Sequence, residues 1–231
     1  MIIGFSRGDF YRMFPKDESV ALVKKINSWD NDLINAIELN CTSKKLIKYF
    51  LKKDIDLSFL DYVSVHGPSL SDKNLKEVLL KLEKINKKYG IDNFVFHAEK
   101  GVNWDLVKDI ITSPISIENM DNRKKIGRTV ESIKEIIDKY DFKFTLDLQH
   151  AYTNDKSMKL VDKFNRKLGD KIIEYHLSGF DSEFLHYPLF KTKQDEIING
   201  IKKDVPIIIE STFDKEEEAE KEVRYIIGKL K

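Results

Sequence analysis

A chain of 231 residues, 41% of them hydrophobic, is long enough to bury a full core, and an α/β barrel of this length is ordinarily a single domain. Forty Lys and Arg against 39 Asp and Glu leave a formal net charge of +1, which excludes a general nucleic-acid coating and leaves room only for a local basic patch. A lone cysteine, Cys41, excludes an intramolecular disulfide, no apolar run reaches membrane-spanning length, and MIIGFSRGDF enters a strand without a signal-peptide core, so a soluble, cytoplasmic chain with no membrane partner is expected.

From the N-terminus onward, β-branched and aromatic stretches alternate with charged segments of helical period. IIGFS at 2–6 precedes ESVALVKKINSW, AIELN at 36–40 precedes SKKLIKYFLKK, YVSVH at 62–66 precedes KNLKEVLLKLEKINKKYG, and NFVFH at 93–97 precedes WDLVKDII. The second half repeats the scheme. ISIEN at 115–119 precedes GRTVESIKEIIDKY, KFTLD at 143–147 precedes KSMKLVDKFNRKLG, IIEYHLS at 172–178 precedes QDEIINGIKK, and PIIIEST at 206–212 precedes KEEEAEKEVRYIIGKL. Gly90 and Gly169 are expected to end their helices in the left-handed conformation. This alternation, with no Pro-rich or Ser-rich linker and no low-complexity tract, predicts one (β/α)8 TIM barrel over 1–231. An open doubly wound sheet would call for a glycine-rich first turn, and SRGDF is not one.

The barrel reading gives the histidines their meaning. His66, His97, His150, His176 and His186, all five in the chain, fall at or just beyond the C-terminal ends of strand-like stretches, and so do Glu118, Asp147 and Glu210. That end of such a barrel is the active-site mouth. A single histidine is most often a cap or a surface residue, and a single carboxylate is as readily an N-cap. The ordered set of nitrogen and oxygen donors on adjacent strands is what a multinuclear metal site needs. Side chains alternate along a strand, so Ser64, Val95, Ser116, Thr145, Glu174 and Ile208, two residues before the donors, should also face the interior. Glu174 stands out among them, since a buried carboxylate calls for a partner such as a ligand histidine.

The fragments I-E-N at Ile117 to Asn119, D-x-x-H-A at Asp147 to Ala151, H-L at His176 and Leu177, and I-E at Ile209 and Glu210 fall in the order H, H, E, D-x-x-H, H, E. Over most of the chain this series resembles the xylose isomerase-like TIM barrel superfamily, and within it the endonuclease IV group (AP endonuclease family 2), beside sugar isomerases and epimerases. The resemblance implies that His66 and His97 hold one metal together with Glu118, which bridges to a second. It implies that Asp147, His176 and Glu210 complete the second, a set shared with the epimerases, and that His150 and His186 serve a third. The family carries an aspartate two residues before that last histidine. Position 184 here is Phe184, so only Asp181 or Glu183 could stand in.

Two chemistries stay open. In a hydrolase, two or three divalent ions would hold a phosphoester and activate a water, with Glu118, Asp147 and Glu210 at the reacting centre. In a sugar or sugar-phosphate isomerase or epimerase, one ion on Glu118, Asp147, His176 and Glu210 would polarise a hydroxyketone while the two glutamates move the proton. Zinc or manganese suits these donors better than calcium. The histidine complement exceeds the needs of one ion and favours the hydrolase. A barrel that only binds metal is the third reading. The partner is then a small phosphorylated or sugar substrate, or damaged DNA. The first loop, RGDFYRMF, mixes arginines with aromatics and reads as a nucleic-acid contact or as a lid. Lys100, Arg123, Ser178 and Glu38 are expected near the mouth. The sequence leaves oligomeric state open.

Overall fold

The computed structural model describes residues 1–6, 24, 33–71, 74–181 and 186–231. Eight parallel strands close into a barrel: β1 (Ile3–Ser6), β2 (Ala36–Asn40), β3 (Tyr62–His66), β4 (Asn93–His97), β5 (Ile115–Glu118), β6 (Lys143–Asp147), β7 (Ile172–Leu177) and, after a two-stranded hairpin of β8 (Gly179–Phe180) and β9 (His186–Tyr187), β10 (Ile207–Ile209). Each strand pairs with its neighbour in sequence, and β10 pairs with both β7 and β1, so no edge is left open. Around this (β/α)8 barrel lie α1 (Lys44–Lys52), α2 (Leu75–Tyr89), α3 (Trp104–Ile110), α4 (Val130–Tyr140), α5 (Leu148–Asn154), α6 (Lys159–Leu168), α7 (Leu189–Thr192), α8 (Asp195–Ile198) and α9 (Glu216–Leu230). The expected first helix, 18–29, and the RGDFYRMF loop lie outside the described residues, apart from Lys24.

Period-two alternation divides each strand between two environments. Val63 and Val65, Phe94 and Phe96, Ile115 and Ile117, and Phe144 and Leu146 point outward into one continuous core with the helices. Each such side chain stabilises the fold by about 1.5–3 kcal/mol on burial. The inward positions are mostly polar. Ser64, Val95, Ser116, Thr145, Glu174 and Ile208 are all fully buried, and a chain of hydrogen bonds runs from Asn93 Nδ2 to Ser116 Oγ (2.9 Å) and on to Thr145 Oγ1 (2.6 Å). At the N-terminal end of the barrel Ala36, Tyr62 and Ile208 form a separate apolar floor. Gly4 permits the tight contact of β1 with β2, because a Cβ there would sit 1.9 Å from the Ala36 carbonyl oxygen.

Helix ends follow local chemistry. The Ser43 side chain caps α1 by accepting from Leu46 N–H, and Thr129 and Ser132 cap α4 reciprocally. Gly90 closes α2 in the left-handed conformation, with φ at 67°. Gly169 does not behave as expected: its angles stay right-handed and the chain continues into a 3-10 turn over Gly169–Lys171. Left-handed stops on residues other than glycine occur at Asp141, after α4, and at Lys193, after α7. The helix expected over 194–203 contracts to α8, which ends at Asn199 beside Gly200. Among the described residues no helix is long and apolar enough to cross a membrane.

Candidate metal centre

Glu118, the last residue of β5, is the hub. Its side chain is 1% exposed, and neither carboxylate oxygen has a hydrogen-bond partner among the described residues. Oε2 faces His66 Nε2 at 3.3 Å and His97 Nε2 at 3.2 Å, while Oε1 faces His176 Nδ1 and His150 Nδ1, each at 3.4 Å. Burial opposes the charge, but the four imidazoles prevail and hold Glu118 well below the usual carboxylate range.

The strands set every donor. The β3, β4 and β5 termini bring His66, His97 and Glu118 together, with ligand atoms within 4.8 Å of one another; Glu118, Asp147, His176 and Glu210 form a second group by the same measure. His66 Nδ1 lies 3.1 Å from the Gly67 carbonyl, a contact that turns Nε2 toward Glu118. Asp147 is fixed by Asn119, whose side chain donates to the Asp147 carbonyl (2.9 Å) and accepts from its N–H (2.8 Å). One Asp147 oxygen caps α5 by accepting from His150 N–H at 2.6 Å. The other is left to the centre.

His176 is held from below. Its Nε2 lies 2.9 Å from Glu174 Oε1 and 3.3 Å from Glu38 Oε2, and both carboxylates are fully buried. Nδ1, buried without a hydrogen-bond partner, faces Glu118 and, at 3.5 Å, Glu210. A carboxylate behind a ligand histidine fixes its orientation and raises its basicity. This is the partner that burial of Glu174 demanded. Glu38, expected at the mouth, lies one layer beneath it and accepts from Ser6 Oγ at 2.8 Å.

The last two histidines are arranged differently. His150 places Nδ1 2.9 Å from the Asn119 carbonyl, which leaves Nε2 to face Asp121 Oδ2 at 4.0 Å. His186 comes from the β8–β9 hairpin; its Nδ1 is 2.9 Å from Ser178 Oγ and 3.9 Å from Glu210 Oε2, and its ring stands edge-on to His150 at 5.9 Å. Among the described residues these two do not join a group of three donors, and Asp181 joins none either. Glu183 and Phe184 lie outside the described residues. The carboxylate facing His150 Nε2 is Asp121, which the sequence reading missed. Its signal was the acid three residues after Glu118.

Electrostatics follow from crowding. Burial would lower His66 and His150, but the surrounding carboxylates, chiefly Glu118 for His66 and Asp147 for His150, push both up to about 10. Burial raises Glu210 to about 8 and Asp147 to about 6, with His176 and His150 respectively pulling the other way. His186 is driven down to about 3 by burial and by the charges of His150, His176 and Arg123. The donor set fits divalent ions. Orphaned, fully buried oxygens on Glu118 and an orphaned ring nitrogen on His176 are costly unless a cation completes them.

No protein-family model and no curated sequence matches the chain. Its likeness is to solved structures. Endonuclease IV from Thermus thermophilus superposes over 100% of this chain and 99% of its own, with a TM-score of 0.67 at 13% identity. The 3-keto-D-glucoside 4-epimerase from E. coli does so over 100% and 99%, with 0.63 at 13%. The IolI protein, solved with a zinc atom bound, does so over 100% and 96%, with 0.62 at 15%. At these identities the likeness shows the fold, a closed eight-stranded (β/α)8 barrel.

Proposed function

We propose that this chain is a divalent-metal-dependent phosphoester hydrolase whose two ions share Glu118. The observation that carries the reading is the pair of orphaned Glu118 oxygens, each faced by a different pair of imidazoles at 3.2–3.4 Å. Because the two oxygens face different imidazole pairs, the carboxylate is placed to serve an ion on each side. His66 and His97 would hold one ion with Glu118; Asp147, His176 and Glu210 would hold the other, and zinc or manganese suits these donors. When bound, such a pair lowers the pKa of a shared water and stabilises the leaving oxygen of a phosphoester. The chain's own contribution is orientation and proton handling. Glu38 and Glu174 lock His176, Asn119 locks Asp147, and Glu210, partly exposed at 14% where Glu118 and Asp147 are buried, is placed to give or take a proton at the mouth.

One observation favours a second reading, a sugar or sugar-phosphate isomerase or epimerase. Glu118, Asp147, His176 and Glu210 make a complete four-donor site without His66 or His97, and two glutamates flank it. Elemental analysis decides between them: two ions per chain are expected, and one ion would favour the isomerase. Strand scission of an abasic-site duplex, or release of phosphate from a small ester, would support the hydrolase. Proton exchange into a ketose in deuterated water would replace it with the second reading.

A further inference from the structure

Beside the metal centre stands an ion pair with unequal partners. Asp121 accepts from Arg123 three times, from Nη2 at 2.7 Å, from Nε at 3.1 Å and from the backbone N–H at 2.8 Å. The Asp121 side chain is 3% exposed while the Arg123 side chain is 53% exposed. In an ordinary surface pair both partners are solvated and neither is fixed. Here a buried anion anchors an exposed cation, and the same carboxylate lies 4.0 Å from His150 Nε2, so the guanidinium sits one carboxylate away from the histidines of the centre.

The loop that carries the pair is fastened down. Met120 N–H donates to the Gly127 carbonyl at 2.8 Å, closing the loop across its base. Asn122 donates to Thr153 Oγ1 (3.1 Å) through its backbone and to the Thr153 carbonyl (3.0 Å) through its side chain; Asn154 donates to the Met120 carbonyl (2.8 Å), and Arg128 Nε to Asn154 Oδ1 (2.7 Å). Thr153 and Asn154 belong to α5, the helix that carries His150. The backbone that carries the pair is thus tied to the helix, the guanidinium is held on it by the buried Asp121 carboxylate, and a group positioned before binding spends little entropy on its ligand. Lys124 and Lys125 follow it, both exposed, so the rim here presents three cations in succession.

We propose that Arg123, braced by Asp121, is a receptor for a phosphoryl oxyanion at the edge of the metal centre, contributing a fixed guanidinium beside His150 and His186. A planar fork of N–H donors matches two oxygens of a phosphate ester, and Asp121 grips one edge of that fork. The ligand is a phosphate ester, whether a small monoester or a phosphodiester of a nucleic-acid backbone. The assignment rests on the two-ion reading for its substrate class but not for its measurement.

The test is a calorimetric titration of inorganic phosphate into metal-loaded wild type, Arg123→Ala and Arg123→Lys, with metal content determined on the same samples. Arg123→Ala should keep its ions and weaken phosphate at least tenfold. Arg123→Lys, which keeps the charge and loses the fork, should fall between. Equal phosphate affinity in wild type and Arg123→Ala overturns the proposal while leaving the two-ion reading standing. A wild-type chain that takes up no ion removes that reading, yet an Arg123-dependent phosphate affinity in it would still support the receptor. Repeating the titration with glucose 6-phosphate and with a short DNA duplex separates the two sources. A loss confined to the small ester points to a small substrate, and a duplex affinity whose salt dependence drops by about one ion in Arg123→Ala points to the backbone.

Discussion

At the scale of single residues, Glu118 is the side chain on which the centre turns. Replacing it by Gln keeps the volume, removes the charge that four imidazoles face, and puts an amide where two lone-pair surfaces are needed. Glu118→Gln is expected to lower activity about 10^3-fold or more, the scale of losing a central electrostatic element, while circular dichroism and the thermal melt of the metal-free chain show an intact fold. Activity within a few-fold of wild type would take Glu118 out of the chemistry. His66, His97, Glu118, Asp147, His176 and Glu210 could be singled out in the sequence as candidates because each lies at or beside the C-terminal end of a strand, where period-two alternation says which way a side chain points. The sequence disclosed the Glu174 brace for the same reason. Asp121 stayed hidden because it lies past the strand, in a loop with no period that is placed by bonds to Thr153 and Asn154 of α5; Asn119 was visible in the I-E-N fragment, but its bonds to Asp147, far along the chain, were not.

At the scale of elements, α9 does more than cover the barrel. Its Glu222 is fully buried and accepts from Leu189 N–H (2.7 Å), Phe190 N–H (2.9 Å) and Ser211 Oγ (2.8 Å). It thereby joins the start of α7, just after His186, to the end of β10, just after Glu210. Glu222→Ala takes the acceptor from the Leu189 and Phe190 N–H groups and one of two from Ser211 Oγ, and should cost about 2–4 kcal/mol, read from urea unfolding, together with faster proteolysis of the 186–192 segment. A loss under about 0.5 kcal/mol would show that the carboxylate only fills space. The strands and long helices were legible because amphipathic periods run through them. The short α5 was not. LQHAYTN is a single turn or two without a stripe, and it forms because Asp147 caps it and its side chains are buried against β7 and α6. Gly169 misled for a related reason: glycine permits the left-handed stop, but the following Asp170 and Lys171 continue the turn in right-handed form.

At the scale of the whole molecule, the metal-free barrel carries its counter-charges as bound protons. His66 and His150, held at about 10 against an ordinary 6.5, bind protons more tightly folded than unfolded, so their contribution is complete below about 6.5 and is lost as pH rises through about 10. Glu210, raised to about 8, adds a loss of the same sign between its ordinary value and 8. The melting temperature of the chelated protein should therefore fall steadily from pH 7 to pH 10. Ions that replace those protons should flatten the curve and, at a hundredfold excess over Kd, raise the melting temperature by roughly 5–10 °C for a chain of this size. A chelated protein whose stability is level over that range would contradict the charge arrangement. The polar interior and the floor of Ala36, Tyr62 and Ile208 carry one more implication. With the far end of the barrel closed by that floor, traffic through the centre has a single doorway: whatever is made must back out along the path by which its precursor came, so the product that leaves last occupies the place of fresh substrate and should inhibit in competition with it.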